Sequence, residues 1–454
     1  MTNKPSFETF AEIKAYLLSN NIEYLKIGLF DLNGILRGKT VSQTKFISML
    51  EKGGSFYDGI LGGDINDDLI DNMQFTGAHT GYPDAKIEVI PQSVRQIPWE
   101  NDSLFFLCQY AKEANTLCAR SLLNKMIEKA RDMGFYLFSG MEYEFTVLAE
   151  SSQSIRQKNY HNLEPFTLGN FGYSIQRSTL HHDLYQDILH TCGQMNMPLE
   201  SLHTEIGPGM LEAALMANSG ITSADNAALF KAFSKSIVER HGLLATFMAK
   251  WREDVQGHGA HIHICLLDQH KRNIFYDAKA PYGMSKTMQH FVAGQQKLMS
   301  EFLVLCAPTI NSYARYVPGC WAPTEAIWGV ENRAVSLRVI QGGNKGQRIE
   351  YRIAGADCNP YLAFAAALAA GLYGIEQQLP LSAVFDPAQP LQNKTIALPN
   401  SLQQATERFL NSSIAKTYFG EAFVSDYAAS RQWEVQLYQK AVTDWQLRRY
   451  LETV

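Results

Sequence analysis

The chain has 454 residues, more than one ordinary hydrophobic core accommodates, which sets an expectation of two or three domains. With 46% apolar and 19% charged residues, its composition is that of a globular protein and excludes a disordered one. A net charge of −5 argues against a nucleic-acid partner, because such proteins present a basic surface.

The opening MTNKPSFETF lacks the basic-then-apolar pattern of a signal peptide, and the longest apolar run, 361–375, is too short and too rich in Ala and Gly to span a bilayer. No membrane partner is expected. Seven cysteines (Cys108, Cys118, Cys192, Cys265, Cys306, Cys320, Cys358) show no CxxC spacing and read as free thiols of a cytoplasmic protein.

Residues 7–19 carry apolar side chains at helical spacing. YLKIGLF and ILRGKTV then flank Asp31-Leu32-Asn33-Gly34, a hairpin signal. Residues 51–71, rich in Gly and Asp, read as a loop, and strands are expected near 86–90 and 103–111. A boundary in the polar stretch 111–116 divides residues 1–113 from 114–454, followed by an amphipathic helix that ends at Gly134. The second part mixes strands (135–148, 200–206, 210–216, 260–267, 333–340, 348–353) with helices (181–193, 222–241, 285–305, 360–378, 401–451). Asn359-Pro360 is a helix start, and 380–400 reads as a surface excursion.

Three expected strands carry polar residues two apart in apolar surroundings: Glu142/Glu144, His261/His263 and Glu350/Arg352. Strand alternation puts each pair on one face and Tyr143, Ile262 and Tyr351 on the other. Glu205 and Glu212 flank a Gly-Pro-Gly turn. Alone, a Glu-x-Glu strand is ordinarily a solvated sheet face; together, same-face carboxylates repel unless a cation lies between them. Oxygen-rich sites with one imidazole suit Mg²⁺ or Mn²⁺ better than Zn²⁺. His181, His182 and His190 read instead as a polar helix face. Five arginines, at 315, 333, 338, 348 and 352, crowd around Glu350 in an otherwise apolar stretch and call for phosphate and carboxylate partners.

MEYEF, EIGPGMLE, GHGAHIH, NSYARYVPG, ENRAVSLRV, RIEYR and NPYLAFAAALAAGL resemble the glutamine synthetase family, in the family's order and over nearly the whole chain. DLNGILRGK, WGVENR and RIAGADCNPYL look most like the branch that joins glutamate to amines other than ammonia: the γ-glutamylpolyamine, γ-glutamylalkylamide and γ-glutamylanilide synthetases. The resemblance implies an α+β fold, with a β-grasp-like N-terminal domain and a catalytic domain of curved antiparallel strands with helices. It implies ATP, two or three Mg²⁺ or Mn²⁺ ions, and L-glutamate with an organic amine as substrates. It also implies hexameric rings, usually stacked as dodecamers, in which Asp58 reaches a neighbour's active site. By motif position Glu144, Glu205 and Glu212 would hold one ion, and Glu142, His261 and Glu350 a second. Gly257, His261, Arg315 and Arg352 would face substrate glutamate. Arg333 would stabilise the transferring phosphoryl group, with Asp58, Arg333 and Glu350 catalytic. His263, Arg338, Lys345 and Arg348 would contact the nucleotide.

Two departures redirect the substrate. Where plain glutamine synthetases carry a glutamate two residues after the Pro-Gly of the flap, this chain has Trp321, suited to packing alkyl or aryl carbon rather than to binding ammonium. Gln256-Gly257-His258-Gly259 replaces the family's Asn-Gly-Ser-Gly run. A polyamine would want a second anionic pocket, for which Asp64, Asp67 and Asp68 are candidates. An alkylamine or arylamine would want a dry one, for which Trp321, Phe56 and Tyr57 are candidates, and this is the favoured reading. The alternatives are an ordinary, ammonium-using glutamine synthetase and a catalytically inactive member of structural or regulatory role.

Overall fold

Local signals set the first elements. Thr9 caps the helix Phe10–Ser19 in a reciprocal capping box with Glu12. Asp31 Oδ1 accepts the backbone N–H groups of Asn33 and Ile35, both at 2.9 Å, and Gly34 takes φ +75°, closing the expected hairpin between β1 (Tyr24–Phe30) and β2 (Leu36–Ser42). The computed structural model of the chain describes residues 5–100, 103–317, 321–386 and 396–454. Cys320, the Pro318-Gly319 of the flap and residues 387–395 of the expected excursion at 380–400 lie outside the described residues.

The N-terminal sheet is completed by β3 (Gly54–Tyr57), β4 (Asp84–Val89), β5 (Arg95–Ile97) and β6 (Ser103–Tyr110), in the order β2-β1-β6-β4-β3 with β5 beside β6. β1 and β6 run parallel at its centre. The helix Gln43–Lys52 sets Phe46 against Phe106 of this sheet, ring centroids 5.0 Å apart. A helix packed across a central parallel pair is the β-grasp character expected.

The larger sheet holds β7 (Tyr136–Leu148), β8 (Leu199–Thr204), β9 (Met210–Leu215), β10 (Asn218–Ser219), β11 (Leu244–Thr246), β12 (Ala260–Leu267), β13 (Trp328–Val330), β14 (Leu337–Ile340) and β15 (Arg348–Tyr351). Its order is β13-β14-β15-β12-β7-β9-β8, with β10 and β11 pairing opposite ends of β7, and every pair is antiparallel except β13 with β14. Tyr143, Ile262 and Tyr351 point into the core at 0% exposure, which frees the alternate face of the same strands for polar side chains. Behind them lies the helix Pro360–Glu376, which crosses the helix Lys286–Phe302 so closely that a Cβ on Gly294 would sit 2.2 Å from Ala370 O. No helix among the described residues is long and apolar enough to cross a membrane.

The two sheets are tied through the hairpin turn. Asn359 Nδ2 donates to the carbonyls of Asp31 and Leu32 at 3.2 and 3.3 Å, and Arg431 Nη2 donates to Asn33 Oδ1 at 2.6 Å.

Several expectations are corrected. The stretch 51–71 is not all loop: it opens with the last turn of a helix and with β3, whose Phe56 is buried. Strand 333–340 shortens to Leu337–Ile340, because the Asn332 side chain accepts the N–H of Ala334 and turns the chain before it. The C-terminal helix is four helices, with breaks at Ser412, at Gly420 (φ +94°) and near Ala441. The described cysteines, Cys108, Cys118, Cys192, Cys265, Cys306 and Cys358, are free and buried, as the spacing predicts.

Candidate active site

Strand register assembles the site. Glu144 on β7 faces Glu212 on β9, which faces His203 on β8; Glu142 on β7 faces His261 on β12; Glu350 on β15 faces His263 on β12 and Arg338 on β14. Directly opposed residues share a face, so five neighbouring strand pairs project acids, imidazoles and a guanidinium into one cleft.

That cleft has a volume of about 660 Å³; every residue expected at the metals, glutamate or nucleotide lines it except Asp58 and Lys345, whereas the acceptor-pocket candidates Phe56, Tyr57, Asp64, Asp67 and Asp68 do not. Lys345 borders an adjoining cavity of about 230 Å³, shared with His263, Arg348 and the apolar side chains of Phe138, Leu215 and Ile264. Asp58 lies in the N-terminal part, buried, with Oδ1 accepting from Thr76 Oγ1 at 3.1 Å; burial raises its pKa.

The acids form two poles. At one, Glu350 is 1% exposed and accepts from Arg338 Nη1 at 3.0 Å and from Arg352 Nη1. His261 Nδ1 lies 3.7 Å from both Glu142 and Glu350, and His263 Nε2 lies 3.1 Å from Glu142. Burial opposes charge on Glu142 and Glu350, but His261 and His263 outweigh it at Glu142, and His261, Arg352 and His263 do so at Glu350, so both pKa values are lowered. At the other pole Glu205 and Glu212 sit with His203, whose Nε2 is 3.3 Å from Glu212 Oε1. Burial, with Glu212 and Glu144 adding repulsion, raises the pKa of Glu205.

The donor sets fit divalent cations. Three groups have ligand atoms mutually within 4.8 Å: Glu142–His263–Glu350, Glu142–Glu212–His261 and His203–Glu205–Glu212. Carboxylates dominate, as Mg²⁺ and Mn²⁺ require. The grouping departs from the expected one: Glu212, expected at the other ion, shares a group with Glu142 and His261. His263, expected at the nucleotide, stands with Glu142 and Glu350; Glu144 stands apart, its Oε2 accepting the Gly259 N–H at 2.5 Å. Sequence reasoning missed His203. Its signal was the spacing to Glu205, the same two-residue period that singled out the other pairs.

Arg315 is fixed rather than free, donating to the Ile353 carbonyl at 3.1 Å and the Arg352 carbonyl at 3.2 Å. Gly257 must lack a side chain, since a Cβ there would meet Arg315 Cγ at 2.7 Å and Ala249 O at 2.8 Å. Its neighbour His258 is fully buried and bridges Thr146 Oγ1 (2.8 Å) and the Met248 carbonyl (2.6 Å); burial pushes its pKa down to about 4, so it is neutral beside Arg315. Trp321 lines the cleft and is 55% exposed.

Two of the three candidate loop aspartates have intramolecular partners. Asp64 accepts from Asn66 N, Asp68 N and Trp433 Nε1, and Asp67 pairs with Arg37 at 2.6 Å. Phe56 is buried, whereas Tyr57 is 40% exposed.

An arginine-lined cleft with clustered carboxylates and imidazoles, on a curled sheet backed by helices, is suited to phosphate groups and divalent cations, and the matches to known proteins make the chain a carbon–nitrogen ligase. Residues 116–450 match the glutamine synthetase catalytic domain. The chain is 42% identical to type-1 glutamine synthetase 2 of Dictyostelium discoideum, over 95% of this chain and 84% of that one. It is 33% identical to the glutamate–isopropylamine ligase of a Pseudomonas species, over 98% of both. The solved structure of apo GmaS superposes with a TM-score of 0.84 at 24% identity, covering 97% of this chain and 99% of that chain, a likeness of fold. The chain belongs to the glutamine synthetase family. Members of this family use ATP and divalent metal ions.

Proposed function

We propose that the protein joins an organic amine to the γ-carboxylate of L-glutamate at the expense of ATP, giving a γ-glutamylamide, ADP and phosphate. The observation that carries this reading is Trp321, half-exposed on the wall of a cleft that also holds the carboxylate and arginine clusters. The similarity to a glutamate–isopropylamine ligase supports it.

Arg315 and Arg352 hold the glutamate carboxylates in a fixed orientation. Transfer of the terminal phosphoryl group of ATP onto the γ-carboxylate oxygen converts a poor acyl donor into an acyl phosphate. Arg333, Arg338 and Arg348 offset the charge that gathers on the phosphoryl oxygens, donors being already in position when it develops. Glu142, His261, His263 and Glu350 at one pole, and Glu205 and Glu212 with Glu144 on the neighbouring strand at the other, would hold divalent cations, which would supply further charge neutralisation there. The free-base amine attacks the acyl carbon, the C–N bond forms, phosphate leaves with the electron pair of the broken C–O bond, and the nitrogen gives up one proton, which departs with the phosphate. Lys345 and the mixed polar and apolar cavity beside Arg348 suit a nucleotide base and its phosphates.

Trp321 favours an alkylamine or arylamine over ammonium. A polyamine is less favoured, because Asp64 and Asp67 are already occupied by intramolecular partners. The 42% identity to a glutamine synthetase favours ammonium as the second reading. In an intact ring, with residues 1–113 as a separate domain, Asp58 acts in the neighbour's cleft, and six- or twelve-subunit assembly in the cytoplasm completes this proposal.

The experiment is phosphate release from ATP and glutamate with ammonium, putrescine, spermidine, ethylamine, isopropylamine and aniline compared at equal free-base concentration. The highest kcat/KM is expected for a monoamine. Ammonium as the best acceptor selects the second reading.

A further inference from the structure

We propose that His203 is a direct ligand, through Nε2, of the cation held at the Glu205–Glu212 pole. This rests on the proposed two-pole cation reading and adds to it a nitrogen donor where carboxylates alone are expected.

The tautomer is the first argument. Nδ1 lies 3.1 Å from the Thr204 carbonyl, which can only accept, so Nδ1 carries the proton and donates. In the neutral ring the lone pair is therefore on Nε2, and Nε2 is the atom 3.3 Å from Glu212 Oε1. A backbone carbonyl that holds the far nitrogen of an imidazole is the usual support of a metal-binding histidine.

The second argument is orientation. His203 and Glu212 are direct partners in the β8–β9 register, and the His203 ring stacks on Tyr173 with centroids 4.3 Å apart and planes at 22°. Strand register and ring stacking together aim Nε2 into the cleft, whose lining includes both rings. The third argument is convergence. His203, Glu205 and Glu212 offer ligand atoms within 4.8 Å of one another, whereas Glu144 is in none of the three such groups and has one oxygen engaged by Gly259 N.

A nitrogen donor has a chemical consequence. Mg²⁺ is a hard ion that prefers oxygen, while first-row transition ions accept imidazole readily. His203 thus shifts this pole toward Mn²⁺ relative to Mg²⁺.

The test uses the full-length protein freed of metal and titrated with Mn²⁺ or Mg²⁺ alone. Free Mn²⁺ is read by electron paramagnetic resonance, and nitrogen coupling to bound Mn²⁺ by electron spin-echo modulation. His203→Gln is expected to weaken one Mn²⁺ site by about tenfold or more, to affect Mg²⁺ far less, and to remove one imidazole coupling. His261→Gln serves as the control, losing its own coupling and leaving the first. His203→Asp restores an oxygen ligand and is expected to recover cation binding with the Mn²⁺ preference gone. Circular dichroism verifies that each variant is folded. Unchanged or tighter Mn²⁺ binding by His203→Gln, with its coupling intact, overturns the inference and leaves His203 as an ion-pair partner of Glu212. Glu212→Ala separates the two levels. If it loses a Mn²⁺ site that His203→Gln retains, only the His203 inference fails; if it loses none, the two-pole reading fails with it.

Discussion

Glu350 and Glu205 occupy the same cleft, yet their removal should move stability in opposite directions in metal-free protein. Glu350 is buried between guanidinium groups. Arg338 keeps a second partner, Glu331 at 2.8 Å, but Arg352, 5% exposed, has no other carboxylate among the described residues. Glu350→Gln therefore strands a buried Arg352, and breaking a buried pair in this way costs about 3–5 kcal/mol. Glu205 receives one backbone N–H, from Ile206 at 2.9 Å, and its pKa is raised by burial and by Glu212 and Glu144. A raised carboxyl pKa means the folded chain holds a proton that the unfolded chain has released, so Glu205 lowers stability as pH rises from 4.5 through its folded pKa. The penalty is fully present above that folded pKa, and Glu205→Gln removes it. The assay is urea unfolding in EDTA at pH 7 and matched protein concentration, with ligase activity measured in parallel. Both variants should lose turnover; Glu350→Gln should unfold at lower urea, and Glu205→Gln at equal or higher urea than the parent. Equal destabilisation by the two would refute the electrostatic account.

Trp321→Glu should raise kcat/KM for ammonium relative to isopropylamine, and an unchanged ratio in the same phosphate-release assay would make Trp321 a filler of the cleft wall. Mixing two inactive variants, Asp58→Ala and Glu350→Ala, should restore part of the activity once subunits reassemble, because some clefts then combine an intact Glu350 with a neighbour's intact Asp58. No recovery on mixing, with subunit exchange verified by mass, would place Asp58 outside the chemistry. Gly294→Ala should lower the free energy of unfolding in urea by about 1–3 kcal/mol or more, since the new methyl meets the Ala370 carbonyl and Gly374 N rather than a movable side chain. Parent-like stability would mean that the helices Lys286–Phe302 and Pro360–Glu376 separate at little cost.

Much of this protein was readable from the chain alone, wherever the physics is local. Hairpin chemistry at Asp31–Gly34, the Asn359-Pro360 helix start and the Gly134 stop were all realised. Two-residue alternation at Glu142/Glu144, His261/His263 and Glu350/Arg352 assigned those side chains to one face before any fold was known, because a strand has no other way to place them. Only tertiary structure decided which strands are neighbours. Register across β8, β9 and β7 put His203 opposite Glu212 and Glu212 opposite Glu144, and that across β12, β15 and β14 put His263 and Arg338 on either side of Glu350. Tertiary structure likewise gave Asp64 and Asp67 the distant partners Trp433 and Arg37. Periodicity within a segment reports which face a residue takes; what it meets on that face depends on hydrogen-bond pairing between segments far apart in the chain.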